Sequence, residues 1–567
     1  MHRTVSPSPA RRALRVGACP VAVCAVLALV PGSATLASAA PARAAMSAAV
    51  SPAAGTPSPA QALAAPRFTA GAAGIGDPTY PTFGNGGYNV RHYDVRVRYS
   101  PRSDRLAGKT TITAVAKQDL SSFHLDLALH ASRVDVDGRR ARTSQRGSEL
   151  TVTPARGVRK NARMKVVVTY AGYPSRVKVA GRKPWVRTSD GAVAVGEPQI
   201  AAWWFPSNDH PRDKAGYDIS ITVPHGVEAL SNGVRVSKKR AKDGRDVWHW
   251  RERVPMASYL AFMAVGQFDV AYGRTSSGLP VVTAVASNGG AAGRHAKKDF
   301  TRTAAVVSWL SRQWGPYPFD AVGGVAPHAD FGFALENQTR PVYTREFWSG
   351  GSNLSVIVHE QAHQWFGDSV SVNRWRDIWL NEGFATFSEW LWAEQHHDGT
   401  AQQMLDLYLE IYPKSDPFWR LQIGRPGKGK EFDEAVYDRG AMTVQALRRR
   451  IGDRAFFTLM RRWAAAHRRG NAQVGQFTAL AEQVSGQQLD GFFSAWLYTG
   501  ARPARTAANG LRAPAKGSSA ASAKAGSRSP SVAPDGTATA AAPASDATAR
   551  ATVARLRRVH AVLQRSS

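Results

Sequence analysis

The residues most able to do chemistry in this sequence are two histidines and two glutamates near position 360. His359 and His363 lie four residues apart, so on a helix both imidazoles leave the same face and can hold one metal ion. Glu382 can supply a third ligand from a second helix, which leaves the fourth tetrahedral position open, as in catalytic zinc sites. Glu360 points to another part of the helix surface, where it can take a proton from an attacking water. The spacing predicts a catalytic site for one zinc ion.

The alternative is an ordinary pair of helices with chance histidines. A His-Glu-x-x-His string alone is only moderately specific, because exposed helices are rich in Glu. Residues 355–358, just before the motif, are mostly apolar, as expected for a buried helix, and Ser352 or Asn353 could cap its start. This context, together with Glu382, favours the metal site.

The elements that must position these residues are helices in the second half of the chain. From about residue 300, apolar residues recur with the period of an α-helix. The predicted helices are 303–314, 354–366, 378–396, 440–450 and 454–465, followed by a last helix-like segment that ends near 492–497. With a small sheet near residues 281–286, they predict a mainly α-helical catalytic domain over residues 271–504.

A different pattern fills residues 85–270. Residues 88–99 alternate apolar and polar side chains, and turn-forming residues separate this run from similar ones. The further predicted strands are 110–116, 123–127, 164–170 and 217–223. The fold class is therefore predicted to be α+β and multidomain, with an N-terminal antiparallel β domain before the helical one.

The start of the chain has the composition of an export signal. Residues 1–39 combine a basic start, an apolar run from Cys19 to Val30 and small residues at 37–39, which predicts cleavage and a secreted protein. The apolar run is too short to span a bilayer. Both cysteines, Cys19 and Cys24, lie in this signal, so the mature chain would contain no disulfide and no thiol nucleophile. Residues 40–84, rich in Ala, Pro, Ser and Gly, are predicted to be a linker.

The end of the chain is rich in Ala, Ser, Arg and Lys. Residues 505–567 are predicted to be a disordered basic tail. The alternative is a basic amphipathic helix that touches an anionic surface. The residues that would form its apolar face are Val553, Leu556, Val559 and Leu563.

The formal net charge of the chain is +31. Because Arg and Lys are spread along the sequence and no nucleic-acid motif is found, specific nucleic-acid binding is not expected. Net charge speaks to non-specific association, and weak adsorption to an anionic cell envelope is the favoured interpretation.

The motifs around the predicted metal site resemble those of the zinc aminopeptidases of the aminopeptidase N family, within the gluzincins. His-Glu-x-x-His, eighteen residues and a Glu run from His359 to Glu382, and the resemblance covers about residues 85–500. It implies a thermolysin-like catalytic domain, one Zn²⁺ per chain and peptides with a free N-terminus as substrates. A monomer is expected. Because the patterned sequence ends near residue 504, no large C-terminal helical domain is expected, which would leave the active site open.

The resemblance also implies residues that recognise the substrate amine. Phe-Ala-Leu-Glu-Asn at residues 333–337 lies where the family has Gly-Ala-Met-Glu-Asn. Glu336 would then bind the ammonium by a charge-assisted hydrogen bond, and Ala334 and Asn337 would contact the substrate beside it. Glu197 would supply a second carboxylate, with Gln199 as the alternative.

Two further roles are expected. Tyr437 lies in a segment that resembles the family's Tyr-x-Lys-Gly, with Arg439 at the Lys position, and its hydroxyl would donate to the developing oxyanion. A packed structural tyrosine is the alternative. Glu389, seven residues after Glu382, would accept a hydrogen bond from a ligand histidine.

Two other functions compete with a secreted zinc aminopeptidase. A thermolysin-like endopeptidase shares the His-Glu-x-x-His chemistry but needs no amine anchor of the Glu336 type. An inactive peptide-binding relative would keep the fold without turnover, although no metal or base position has been lost here.

Overall fold

The computed structural model describes residues 67–511 and 544–563. The predicted export signal, residues 40–66 of the predicted linker, and residues 512–543 and 564–567 lie outside the described residues. Within the described ranges, no helix is long and apolar enough to cross a bilayer.

The N-terminal region is built from β-strands, as the alternating pattern predicts. In β2, for example, buried and solvent-facing residues alternate along most of the strand, as in a half-buried sheet. The strands are Thr69–Ala70 (β1), Tyr88–Ser100 (β2), Arg105–Ala116 (β3), Leu120–Asp126 (β4), His130–Val136 (β5), Arg139–Arg140 (β6), Arg142–Arg146 (β7), Glu149–Thr153 (β8), Arg163–Gly172 (β9), Trp185–Arg187 (β10), Ala192–Ala194 (β11), Lys214–Val223 (β12), Glu228–Leu230 (β13), Val234–Arg240 (β14), Asp246–Ala257 (β15) and Met263–Gly266 (β16).

These strands form one large sheet and two smaller ones. The large sheet has the order β14-β15-β12-β2-β3-β9-β5-β6, and the smaller sheets have the orders β1-β4-β8-β7 and β10-β11-β16-β13. Most pairs are antiparallel, as predicted, but β2 runs parallel to β12, with Tyr93 opposite Tyr217. The rings of these two residues stack with their centroids 5.0 Å apart, which anchors the centre of the large sheet.

The last part of the predicted linker is ordered. Strand β1 pairs with β4, and Asp77 and Tyr80 are buried. The Asp77 carboxylate accepts hydrogen bonds from the backbone N–H groups of Thr79 and Trp375, at 2.7 and 2.9 Å. The linker prediction for residues 40–84 is therefore wrong from residue 67 onward, because a few specific contacts outweigh a composition typical of loops.

The catalytic region is mainly helical, as predicted, and its described residues also contain seven strands, five of which form one sheet. The seven strands are Phe268–Arg274 (β17), Pro280–Ala286 (β18), Val322–Ala326 (β19), Ala334–Leu335 (β20), Val342–Tyr343 (β21), Val370–Val372 (β22) and Gly470–Ala472 (β23). Its helices are Gly290–Phe300 (α1), Thr303–Trp314 (α2), Leu354–Ala362 (α3), Trp379–Gln395 (α4), Ala401–Ile411 (α5), Glu434–Ile451 (α6), Asp453–Ala466 (α7), Val474–Ser485 (α8), Asp490–Phe493 (α9) and Asp546–Leu563 (α10).

The sheet of this region has the order β17-β18-β19-β21-β20, and β22 pairs separately with β23. The predicted domain boundary at residue 270 falls inside β17. That strand pairs along its whole length with β18, so the change from the β domain to the catalytic region comes before Phe268.

The predicted helices are present with shifted ends. Helix α3 stops at Ala362 instead of residue 366, because the chain turns at Gly367, whose φ is +138°, and leads into β22. Helix α6 begins at Glu434, six residues before the predicted start at 440. The side chain of Asp433 accepts a hydrogen bond from Ala435 N at 3.1 Å and caps this earlier start.

The tail differs most from its prediction. Residues 546–563 form helix α10, which packs on α3, α5 and α6, so the prediction of a disordered tail is wrong for this segment. Its apolar stripe faces the catalytic region and not an external surface. The buried residues of α10 are Ala549, Thr552, Val553, Leu556, Val559, His560 and Leu563. Their spacing of three and four residues is that of one helix face, the pattern on which the alternative prediction of an amphipathic helix rested.

Candidate active site

Helix α3 carries the two histidines at its C-terminal end. Its first turn is capped by Asn353, whose side chain accepts a hydrogen bond from Val356 N at 3.4 Å, as the sequence predicts. His359 lies in the last turn and His363 follows the helix directly. Every residue from Ser355 to Ala362 is buried, so the helix presents both imidazoles inside the protein.

Helices α4 and α6 cross at two glycines, and this crossing positions the remaining residues. A Cβ atom added to Gly383 would lie 2.8 Å from the Cα of Gly440, closer than such atoms approach in proteins. Glu382 precedes the first glycine and Tyr437 lies nearly one turn before the second. The close crossing therefore brings both side chains to one cavity, which they line together.

The three predicted metal ligands lie together. The Nε2 atoms of His359 and His363 are each 3.5 Å from Oε2 of Glu382, and all three residues are buried. The other ring nitrogens have acceptors: His359 Nδ1 lies 2.8 Å from Glu389 Oε1, and His363 Nδ1 lies 3.0 Å from the carbonyl oxygen of Phe366. With Nδ1 donating, both Nε2 lone pairs face Glu382 and are available to a metal.

This donor set fits zinc. Two imidazoles and one carboxylate, buried and converging, are the ligands of catalytic zinc sites with an open position. The Glu389 carboxylate orients His359 as expected and makes it a better ligand. The bound metal would also offset the charge that burial makes costly in this cluster.

Glu360 lines the same cavity without joining the ligand cluster. Burial raises the pKa of its carboxyl to about 8, against the opposing effect of the two neighbouring imidazoles. A divalent cation nearby would favour the carboxylate. Glu360 is thus a buried carboxyl suited to accept and return a proton, as the sequence predicts.

A further pair of carboxylates lines the same cavity. Glu336 and Glu197 both line it, and Glu336 Oε1 accepts a hydrogen bond from the hydroxyl of Tyr259 at 2.9 Å. Burial, followed by repulsion from Glu336, raises the pKa of Glu197 well above its ordinary value. One Glu197 oxygen has no hydrogen-bond partner among the described residues, so this pair of carboxylates is suited to receive a cation.

Some residues next to Glu336 in the sequence line the cavity, and others are buried in the protein interior. Ala334 lines the cavity, as expected, and so does Phe333. Asn337 does not: it is fully buried, and its amide donates to the carbonyl oxygen of Leu260 at 2.9 Å. The structure therefore corrects the expected role of Asn337 from substrate contact to anchoring of the loop against the β domain.

Tyr437 lies over the metal ligands. Its ring is 6.0 Å from that of His359, with 26° between the planes, and it lines the cavity. Arg439, at the family's Lys position, points away. Its guanidinium donates to backbone carbonyl oxygens, among them those of Trp419 and Thr499 at 2.9 and 2.7 Å.

Several residues of the site were given no role in it by the sequence, among them Gln364, Tyr259 and two residues of helix α10. Gln364 fixes the Glu336 loop, since its side chain donates to the Glu336 carbonyl at 2.9 Å and accepts from Thr339 N at 2.8 Å. The sequence position of Gln364, directly after His363, could have indicated that it belongs to the site. Tyr259 comes from the β domain, where no local pattern marks it. The other two are His560 and Leu563, which belong to helix α10.

The comparisons with known proteins agree with this geometry. The family model described as the Peptidase family M1 domain matches residues 347–496, and the Peptidase M1 N-terminal domain matches residues 89–260. Glutamyl aminopeptidase of Bos taurus is 30% identical over 335 residues, which are 55% of this chain and 34% of that protein. Aminopeptidase M1-D of Oryza sativa subsp. japonica is 30% identical over 337 residues, 54% of this chain and 37% of that protein.

Among solved structures, an M1 zinc metallopeptidase from Deinococcus radiodurans is similar with a TM-score of 0.69 and 26% identity, over 78% of this chain and 100% of that one. The chain spans little more than a third of the length of the curated relatives it matches. Both family models, the zinc ligand set and the solved relative lead to one assignment: this chain belongs to peptidase family M1, the zinc gluzincins of the aminopeptidase N type.

Proposed function

We propose that this protein is a zinc aminopeptidase that removes single amino acids from the N-terminus of peptides. The observation that carries the proposal is the buried carboxylate pair Glu336 and Glu197 in the cavity of the metal ligands. An endopeptidase has no ammonium to bind there, and two buried carboxylates without a cation would be costly. A mutant of the similar Deinococcus radiodurans protein bound to a Tyr-Ser-Ala substrate supports a peptide as ligand.

The reaction divides between the metal ligands and the carboxylate pair. Zinc held by His359, His363 and Glu382 would act as a Lewis acid toward the scissile carbonyl and the attacking water. The ammonium of the substrate forms charge-assisted hydrogen bonds with Glu336 and Glu197, which places the first peptide bond beside the metal ligands. This register limits cleavage to one residue at a time.

The chain's own groups move the protons. Glu360 takes a proton from the water as its oxygen attacks the carbonyl carbon, and it returns that proton to the leaving amine when the carbon–nitrogen bond breaks. The Tyr437 hydroxyl donates a hydrogen bond to the carbonyl oxygen as negative charge develops there. His359 keeps its orientation because Glu389 holds Nδ1.

A panel of amino-acid arylamides tests this proposal, each with a free or an acetylated N-terminus, with and without a zinc chelator. Chelator-sensitive cleavage of the free-amine forms alone is the expected result. Cleavage of acetylated forms would instead indicate a thermolysin-like endopeptidase. Zinc binding without turnover of any peptide would indicate an inactive binding relative.

We also propose that the protein is exported and acts outside the cell as a monomer. The basic start, the apolar run and the small residues at 37–39 support a cleaved signal, and the charge of +31 supports weak adsorption to an anionic envelope. N-terminal sequencing of the protein from the culture medium tests export. A chain that stays in the cell and starts at Met1 would contradict it.

A further inference from the structure

The last described turn of helix α10 reaches the proposed active site. Leu563, the last described residue of the helix, lines the same cavity as His359, Glu360 and Tyr437. The cavity has a volume of about 20 Å³, enough for about one water molecule, whereas ligand sites measure about 300–1,000 Å³. A cavity of this volume has no room for an amino-acid side chain beside the metal ligands, and Leu563 of α10 forms part of its wall.

A buried histidine holds α10 next to the metal site. His560 Nδ1 lies 2.7 Å from Asp438 Oδ1, and His560 Nε2 lies 3.0 Å from Glu389 Oε1. Glu389 is the carboxylate that orients His359. A single helix of the tail therefore reaches both the substrate space and the residues that support the zinc ligands.

The rest of α10 is held by contacts typical of a reversible interface. Its apolar stripe is buried, and its outer arginines form ion pairs that are partly exposed and individually weak. The pairs are Arg550 with Glu410 at 3.0 Å, Arg555 with Asp398 at 3.6 Å and Arg557 with Glu434 at 3.5 Å. All three join a cation on the helix to an anion on the catalytic region.

When the helix leaves, each of the two carboxylates that face His560 keeps one hydrogen bond within the catalytic region. Glu389 would keep its hydrogen bond from His359, and Asp438 would keep the one that the Tyr412 hydroxyl donates at 3.2 Å. Residues 512–543 connect Leu511 to Ala544, and a segment of that length can span at most about 110 Å. The helix would thus remain tethered, at a high effective concentration for return.

We propose that α10 is an autoinhibitory helix that covers the active site and must move away before a peptide binds. The inference rests on the proposed aminopeptidase function, because the cover is defined by the site it closes. Docking of α10 and binding of a free-amine ligand are then mutually exclusive, so each weakens the other by the same factor.

Charge reversal on the outer face of the full-length, zinc-loaded protein tests the proposal. The variant Arg550→Glu/Arg555→Glu/Arg557→Glu places like charges opposite Glu410, Asp398 and Glu434, outside the catalytic machinery. Arg558→Glu is the matched control, because Arg558 is exposed on the same helix and forms no ion pair within the described residues. Hydrogen exchange of residues 546–563 reports whether the helix is released.

In the triple variant we expect faster hydrogen exchange of α10. We also expect the affinity for leucine hydroxamate and kcat/KM on free-amine arylamides to rise by about tenfold or more. The control should match the wild type. Leu556→Glu, which puts a charge on the buried stripe, is a second way to release the helix.

If the helix is released but the affinity of the variant for leucine hydroxamate is unchanged or lower, the proposal is overturned, because α10 would then be a structural wall of the site. Persistent protection of α10 in both variants would overturn it as well. Tighter hydroxamate binding without cleavage of any arylamide would support the cover and refute the aminopeptidase function. Equal cleavage by all forms would support the function and refute the cover.

Discussion

At the scale of single residues, the proposed roles of metal binding and proton transfer fall on different side chains. His359, His363 and Glu382 converge on one point, while Glu360 faces the cavity from the same helix without joining them. Because neighbouring helical residues point in different directions, one short motif supplies both functions. The separation allows each role to be removed alone.

Replacing Glu360 with Gln should abolish turnover and leave zinc bound. The amide keeps the size and the cavity position of the side chain but cannot accept the proton from water, and general base catalysis contributes about 100-fold or more. Zinc content by atomic absorption should stay at one per chain, and kcat on the best arylamide should fall by at least that factor. A Glu360→Gln protein with normal kcat would refute the role.

Tyr259 should contribute to the binding of free-amine substrates, although it belongs to the β domain. Its hydroxyl donates to Glu336, so Tyr259→Phe leaves the amine anchor less firmly held. A lost hydrogen bond to a charged group costs about 1.5–3 kcal/mol, which corresponds to roughly a 10- to 100-fold lower kcat/KM for free-amine substrates.

The control for Tyr259 is Tyr272→Phe, at an exposed tyrosine that does not line the cavity. Zinc content should be unchanged in both proteins. We expect KM and kcat/KM to change only in Tyr259→Phe. Equal KM and kcat/KM in the two variants would contradict the positioning role of Tyr259.

At the scale of elements, the sequence predicted what is periodic and missed what depends on distant contacts. The helices that carry His359 and Glu382 follow from local patterns and motif spacing. Asn337 was misassigned because motif resemblance does not report which way a side chain turns; here it turns to Leu260. For α10 the sequence offered a helix only as the alternative to a disordered tail, because the composition is that of a tail, and the local pattern did not show that its apolar face packs on the catalytic region.

The glycine crossing of α4 and α6 predicts how these elements respond to a single methyl group. Gly440→Ala should push the two helices apart, because a Cβ on Gly440 would lie 2.7 Å from the Cα of Gly383. Overpacking of this kind costs about 1–3 kcal/mol, and moving Glu382 should also weaken zinc binding.

Gly475→Ala is the matched control, since Gly475 lies in helix α8 with nothing within 4 Å of an added Cβ. That change should be neutral or stabilising by up to about 1 kcal/mol. Denaturant unfolding and a zinc competition titration measure both effects. Equal stability and zinc affinity of the two variants would show that the close crossing is not needed.

At the scale of the whole molecule, the ordered part of the predicted linker, from residue 67 onward, joins the β domain to the catalytic region. Asp77 accepts hydrogen bonds from Trp375 N at 2.9 Å, and its Oδ2 lies 3.0 Å from Nε2 of His210. Trp375 stands just before α4, the helix of the third zinc ligand. A carboxylate near the N-terminal end of the chain thus fixes the approach to the active site.

The pH dependence of stability should reveal this contact. Burial opposes ionisation of Asp77, but its hydrogen bonds with His210 and with backbone N–H groups prevail and lower its pKa from 3.8 to about 2. A carboxyl with a lowered pKa in the folded state stabilises the protein above its unfolded pKa and loses that contribution as pH falls toward the folded pKa. The contribution is about 2 kcal/mol at pH 7, and about half of it should be lost at pH 3.

Asp77→Asn removes this titration, so the difference in unfolding free energy between wild type and variant should shrink as the pH falls from 5 to 3, the range in which unfolded Asp takes up its proton. Asp490→Asn, at an exposed position, should differ little from wild type throughout. Denaturant unfolding of the three proteins across this range measures the difference. If the difference in unfolding free energy between wild type and Asp77→Asn stays constant with pH, the carboxylate acts only through packing. The ordered part of the predicted linker is then held by Tyr80 and β1 instead.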